Sequence, residues 1–191
     1  MPAFDSADER RPGNGRTIGP DPEGALRGDS LVMSARTPGG PYNQEMVSIR
    51  TSRPHEGARA VDIWRRAVDA THDFLTREDR RAIDAMVCDF LPQVPLWFAV
   101  DVDDEPLAFM FIDSGHMEAL FVDPAHRGSG IGAALVRHGL AMHPDMTTDV
   151  NEQNVQAVGF YEKMGFRRTG RSALDGQGRP YPIIHLEYAG A

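Results

Sequence analysis

Arg127 is followed by three glycines at alternate positions, Gly128, Gly130 and Gly132, inside the run FVDPAHRGSGIGAALVRHGL. Glycines without a Cβ let a backbone approach a ligand closely and adopt left-handed conformations. Directly afterwards Ile131, Ala134, Leu135 and Met142 form an apolar stripe at helical spacing, so the loop opens a helix whose first N–H groups have no internal partner. Unpaired donors at the positive end of a helix dipole, with a guanidinium beside them, are suited to a phosphate group. Arg127, Gly128, Ser129, Gly130, Ile131 and Gly132 are therefore the first candidate contacts to a phosphorylated ligand.

Two phosphate-binding loops are excluded by spacing. A Walker loop needs a lysine after its last glycine, whereas the chain's only lysine is Lys163. The dinucleotide fingerprint needs G-x-G-x-x-G early in a βαβ unit with an acid about 20 residues on. Here the order is G-x-G-x-G, late in the chain and behind a hairpin.

The elements that must position this loop are readable from periodicity and breakers. A short strand is expected over Met46–Arg50, then a helix over Glu56–Ala70 with Val61, Trp64 and Val68 on one face. Thr76 with Asp79 resembles a capping box for a second helix, whose stripe is Ile83, Met86, Val87 and Phe90 and which Pro92 and Pro95 end. Leu96–Asp101 and Pro106–Ile112 read as a hairpin, followed by a strand over His116–Val122 and a helix to Met142. Met146–Val150 is a strand and Val155–Met164 a helix that Gly165 stops at its C′ position. Phe166–Arg171 and Ile183–Tyr188 are the closing strands, giving the order β-α-α-β-β-β-α-β-α-β-β in one domain over residues 46–191. Residues 1–45 carry six prolines, seven glycines and few large apolar side chains, the composition of a disordered leader.

Bulk properties narrow the partners. A net charge of −8 argues against a nucleic-acid footprint, and no stretch approaches the ~20 apolar residues of a membrane span. The lone cysteine, Cys88, reads as a small buried apolar residue; it forms no internal disulfide, which together with the absence of a secretory signal points to the cytoplasm. His116, His126, His138 and His143 show no metal-ligand spacing, so no metal is expected.

The pattern R-x-x-G-x-G after a strand ending V-D-P resembles motif A of the GNAT N-acetyltransferases, in which this loop wraps the pyrophosphate of acetyl-coenzyme A. A second stretch, NVQAVGFYEKMGF from Asn154 to Phe166, resembles that family's N-x-x-A-x-x-F-Y-x-x-x-G-F, and the element order of residues 46–191 also matches. The resemblance implies an α/β fold with a mixed, mostly antiparallel twisted sheet of six or seven strands, about four helices and two splayed central strands. It implies acetyl-coenzyme A as co-substrate and a small-molecule or peptide amine as acceptor, in a monomer or homodimer. A coenzyme A-binding sensor without catalysis would carry the same loop.

The resemblance extends the cofactor-binding set to Leu120, Phe121 and Val122 on the splayed strand and to Asn154, Phe160 and Lys163. Asn154 equally reads as a helix cap. An N–H near Phe121 is expected to hold the thioester oxygen, and Tyr161 to donate a proton to the departing sulfur, with packing of helix on sheet as its other reading. For the general base three residues stand open. Asp149, five before Asn154, occupies a position where some members carry an acid; Glu118 is expected to face opposite to Met117 and Ala119; His72, in THDFL, lies between the early helices that border the acceptor. Water-relayed deprotonation is a fourth route. The acidic balance favours a cationic acceptor.

Overall fold

A computed structural model describes residues 47–190. The expectation for residues 1–45 lies outside the described residues, as does Met46.

The chain begins with β1 (Ser48–Thr51) and α1 (Gly57–Asp69). Glu56 stays outside the helix as its cap because its carboxylate is bound to Arg50 at 2.6 Å and accepts from the Arg53 backbone N–H at 2.7 Å. The expected capping box starts α2 (Arg77–Phe90): the Thr76 side chain accepts from the Asp79 N–H at 3.1 Å. Pro92 then tightens the exit into a 3-10 turn.

β2 (Trp97–Val100) and β3 (Pro106–Asp113) form the expected hairpin. β2 stops before Asp101 because that side chain accepts from the N–H groups of Asp103 and Glu105 and folds the turn. Next come β4 (His116–Val122), α3 (Ile131–Met142), β5 (Thr147–Asn151), α4 (Val155–Lys163), β6 (Phe166–Ser172) and β7 (Ile183–Tyr188). β5 starts one residue later than expected, since the Met146 N–H turns back to His143 O at 3.1 Å. Gly165 ends α4 with φ +94, and a Cβ there would sit 2.8 Å from Gly190 O, so only glycine fits.

The seven strands form one sheet in the order β1-β2-β3-β4-β5-β7-β6, antiparallel except for β4 beside β5. One face buries α1 and α2, whose Trp64, Val68, Ile83 and Val87 pack on Phe98 and Phe109. The other face buries α3 and α4 through Leu135, Val136, Val158 and Tyr161. The α1 and α2 stripes read from the sequence face the first layer, with Met86 and Phe90 only half-buried; of the α3 stripe Ile131 and Leu135 are buried in the second layer, whereas Met142 is exposed, contrary to expectation.

The parallel β4–β5 junction is where the sheet opens. The two strands pair only at His116↔Thr147 and Met117↔Thr148. The Thr148 hydroxyl donates to Met117 O at 2.8 Å, closing the last rung with a side chain. Beyond it the strands part, leaving the β5-facing edge of residues 118–122 outside any ladder.

Candidate active site

Asp123 fixes the start of the glycine loop. It is 1% exposed, caps the 3-10 turn at Pro124–His126 by accepting from the Ala125 N–H at 3.0 Å, and donates its own N–H to Leu107 O. Arg66 and Arg59 of α1 reach its carboxylate at 2.5 and 3.4 Å. Sequence reading treated Asp123 only as part of V-D-P, because its arginine partners are some sixty residues away and no local pattern announces them.

Gly128 and Gly130 both take left-handed conformations, φ +75 and +85. Gly130 is the cap of α3 and brings no side-chain oxygen, and no acid sits in the first turn. The opening N–H groups of α3 are thus left to an external acceptor. A Cβ on Gly128 would meet nothing within 4 Å, so its left-handed φ, not a lack of room, is what favours glycine there. Ser129 spends its hydroxyl on His126 O.

From this loop a cleft of about 630 Å3 runs into the opening between β4 and β5. Leu120, Phe121, Val122, Arg127, Gly128, Gly130, Ile131, Gly132, Asn154 and Phe160 line it, as do Tyr161 and His72. Two expected contacts do not. Ser129 is turned to its own loop, and Lys163 is exposed at the last position of α4, outside the lining. Gln156, Ala67 and Thr71 line the cleft without having been singled out; Gln156 sits inside the N-V-Q-A stretch, which was its only signal.

Glu118 stands where the strands part. The β3–β4 register jumps from Phe111↔Ala119 to Ile112↔Met117, which leaves Glu118 as the extra residue of a β-bulge. The expectation that Met117 and Ala119 share a face is thereby corrected: Met117 packs with the α3/α4 layer and Ala119 with the α1/α2 layer. Glu118 Oε2 is buried without a hydrogen-bond partner among the described residues, in a recess that Asp149 also lines. Burial, reinforced by the charges of Asp149 and Asp113, pushes its pKa up to about 7.

Asp149 is engaged elsewhere. Its Oδ1 lies 2.7 Å from His185 Nδ1, and His185 Nε2 lies 2.7 Å from the Ser172 hydroxyl. A carboxylate only accepts, so Nδ1 of His185 carries a proton and donates to Asp149, while Nε2 faces the Ser172 hydroxyl. His72 Nδ1 lies 2.7 Å from the Thr71 hydroxyl, which donates its single proton to Ala67 O. The His72 Nδ1–H therefore donates to Thr71, and Nε2 keeps the lone pair. Burial pushes the His72 pKa down to about 4, so the ring is neutral near pH 7.

Tyr161 is 7% exposed and borders both the cleft and the recess. Burial raises its phenol far above the ordinary value, with Thr148 acting in the opposite sense, so the hydroxyl keeps its proton. Asn154 caps α4 by accepting from the Ala157 N–H at 3.1 Å. Its Oδ1 is thus committed, and a ligand would meet its Nδ2. Cys88 is half-buried rather than buried, between Asp84 and Arg65. Burial and the Asp84 carboxylate raise its pKa, the opposite of an activated thiol. No cluster that could hold a metal ion occurs among the described residues, and no described helix is long and apolar enough to cross a membrane.

An acetyltransferase (GNAT) domain profile matches residues 86–178. The peptidyl-lysine N-acetyltransferase YjaB of Salmonella typhimurium is 56% identical over 143 residues, 75% of this chain and 99% of that protein. The chain belongs to the GNAT acetyltransferase family. The solution structure of apo YjaB from Escherichia coli superposes with a TM-score of 0.73 at 55% identity, covering 76% of this chain and 99% of that one. The PaiA N-acetyltransferase of Thermoplasma acidophilum, solved with coenzyme A, shares the fold at a TM-score of 0.59 and 15% identity, over 75% of this chain and 99% of that one.

As a GNAT enzyme the protein transfers an acetyl group from acetyl-coenzyme A to an amine. Its residues fit that co-substrate. Side-chain-free N–H groups at a helix start face one end of a long cleft, and the unpaired edge of β4 runs along the other. The cleft volume lies in the usual range for ligand pockets.

Proposed function

We propose that the acceptor is the side-chain amine of a lysine in a peptide or protein, and that Glu118 takes its proton. Glu118 Oε2, buried and unpartnered at the point where β4 and β5 part, is the observation that carries this reading. A carboxylate with a pKa of about 7 is ionised often enough near neutrality to accept a proton, and binds it more strongly than an ordinary glutamate near ~4.3. His72 offers a lone pair from Nε2, but a pKa of about 4 makes it the weaker base. The peptidyl-lysine activity named for YjaB, at 56% identity over almost the whole of that protein, supports the acceptor class.

The remaining roles follow the geometry. Arg127 and the N–H groups at Gly128, Gly130, Ile131 and Gly132 take the pyrophosphate. Leu120, Phe121 and Val122 offer the unpaired edge of β4 to the amides of the arm, and an N–H near Phe121 takes the thioester oxygen. Asn154 contributes Nδ2, and Phe160 packs beside Gly132. Bound acetyl-coenzyme A supplies the thioester whose C–S bond breaks as the C–N bond forms. Tyr161, held neutral, donates a hydrogen bond to the sulfur as it takes up charge. Asp149, tied to His185, orients the acceptor side of the opening and helps keep the Glu118 pKa high. A cytoplasmic site of action goes with this reading and is supported by the single cysteine.

The test is thiol release from acetyl-coenzyme A with a lysine peptide, compared with the same peptide carrying acetyl-lysine, and mass spectrometry of the product. Acetylation confined to the free lysine is expected. Turnover only with small amines and none with any lysine peptide contradicts the acceptor class.

A further inference from the structure

Tyr181 is 5% exposed, yet it belongs to neither apolar layer of the sheet. It lies in the connection between β6 and β7, just before Ile183 begins β7. What holds it is polar. Its hydroxyl donates to Asp79 Oδ2 at 2.5 Å and accepts from the Thr76 N–H at 3.1 Å, both at the start of α2. Arg179 of the same connection reaches the other oxygen of Asp79 at 3.4 Å. Ring contacts continue inward: Tyr181 lies 6.0 Å from Phe74, and Phe74 lies 5.2 Å from His72, centroid to centroid. His72 lines both the cleft and the recess at Glu118.

The sheet order says what this contact spans. α1 and α2 cover one face over β2, β3 and β4, whereas Tyr181 leads into β7, beyond β5. A bond from α2 to Tyr181 therefore crosses the β4–β5 junction. It crosses at the parted end, because Ile183 pairs with Asn151, the last residue of β5, while the β4–β5 ladder closes at Thr147 and Thr148. The opening is thus shut at one end by that short ladder and bridged at the other by a strap running from Tyr181 to α2.

The strap is firm in itself and lightly fastened. Asp175, 6% exposed, accepts from the N–H groups of Gln177 and Arg179 at 2.9 and 2.8 Å, so the turn keeps its shape without help from α2. The Glu152 N–H holds its root through Pro182 O at 2.9 Å. Leu174, the strap's other large apolar side chain, is 49% exposed and adds no buried area. A contact made by a few hydrogen bonds, with little apolar burial behind it, opens far more readily than a core element does.

A small free amine needs only the width of its own chain to reach Glu118. A lysine within a polypeptide brings backbone on both sides, and that backbone must lie across the outer end of the opening, where the strap runs. We propose that Tyr181, Asp79 and Thr76 form a latch over the acceptor end of the opening that selects acceptors by bulk. Closed, it admits a slender amine; released, it admits a lysine carried by a chain. Tyr181 and Asp79 are then specificity-determining residues that touch neither the cofactor nor the reacting atoms. The proposal rests on the reading above, that Glu118 marks the acceptor end, and adds what controls entry there.

The experiment uses the full-length protein and Tyr181→Phe, which keeps the ring against Phe74 and removes both hydrogen bonds. Steady-state kinetics compare a small straight-chain primary amine with a peptide carrying a central lysine. Calorimetry with coenzyme A and thermal denaturation run alongside. An acceptor that binds only the open state loses affinity in proportion to the fraction open, and a hydrogen bond to a charged group corresponds to roughly 10- to 100-fold. In Tyr181→Phe kcat/KM for the peptide should therefore rise about 10-fold or more, through KM, with the small amine and coenzyme A unaffected. An unchanged or lower peptide value in folded Tyr181→Phe, or an equal rise for the small amine, overturns the latch. Asp79→Asn removes the charge at nearly the same shape and should raise the peptide value by a smaller factor. If Tyr181→Phe does not fold, no rise in Asp79→Asn overturns the latch equally. A native protein inert toward the lysine peptide contradicts the acceptor reading; the latch then stands if Tyr181→Phe gains peptide turnover and falls if it does not.

Discussion

Gly128 and Gly178 form a matched pair that isolates what the loop does from what a glycine does. Their φ values are +75 and +77, and a Cβ on either would meet nothing within 4 Å. Replacing either with alanine thus incurs the left-handed backbone cost and no clash, about 1–2 kcal/mol each. For a domain of this size that lowers Tm by roughly 2–8 °C, equally for both. Gly178 lies between β6 and β7, whereas Gly128 faces the cleft beside Arg127. If the backbone at Gly128 approaches the pyrophosphate, a methyl there pushes the phosphate away from its charged hydrogen bonds, worth about 1.5–3 kcal/mol for one of them. Calorimetry with coenzyme A should therefore show about a 10- to 150-fold loss for Gly128→Ala and none for Gly178→Ala, at matched Tm. Equal affinity in the two variants would refute the assignment of the loop.

Three further outcomes are expected. Tyr161→Phe should lower kcat by about 100-fold or more while the coenzyme A dissociation constant stays put, because the phenol acts at the sulfur and the ring retains its packing; stopped-flow thiol release checks this. Asp123→Ala should cost about 1–3 kcal/mol in thermal denaturation and also weaken coenzyme A, since the carboxylate ties the loop's base to Arg66 and Arg59. Lys163→Ala should leave coenzyme A affinity within twofold or so, as an exposed side chain outside the cleft contributes little; a large loss would restore it to the binding set.

The element order was readable because each helix carries a 3.6-residue stripe and a local stop: Thr76 and Asp79 announce α2, and Gly165 ends α4. The loop was readable because its chemistry is contiguous, from Arg127 to Gly132. What escaped depends on partners far apart in the chain. Alternation along β4 put Met117 and Ala119 on one face, and the bulge at Glu118 exists only through the register with β3. Asp123 gains its meaning from two arginines on α1, and Asp149 its partner from β7. Lys163 was placed by its position in the Asn154–Phe166 stretch, and the turn of α4 carries it to the solvent face.

The pH dependence of kcat/KM for a lysine peptide, in the native protein and in Glu118→Gln, tests the central claim most directly. Glu118 acts as a base only when ionised, and its pKa is raised to about 7, so activity should be low in acid and climb through pH 7. Protonation of the acceptor lysine, near ~10.4, adds a separate limb at higher pH. The account predicts that Glu118→Gln lowers kcat/KM by about 100-fold or more and abolishes the limb near 7 while keeping the upper one. A variant that retains the limb near 7 at comparable activity would contradict it.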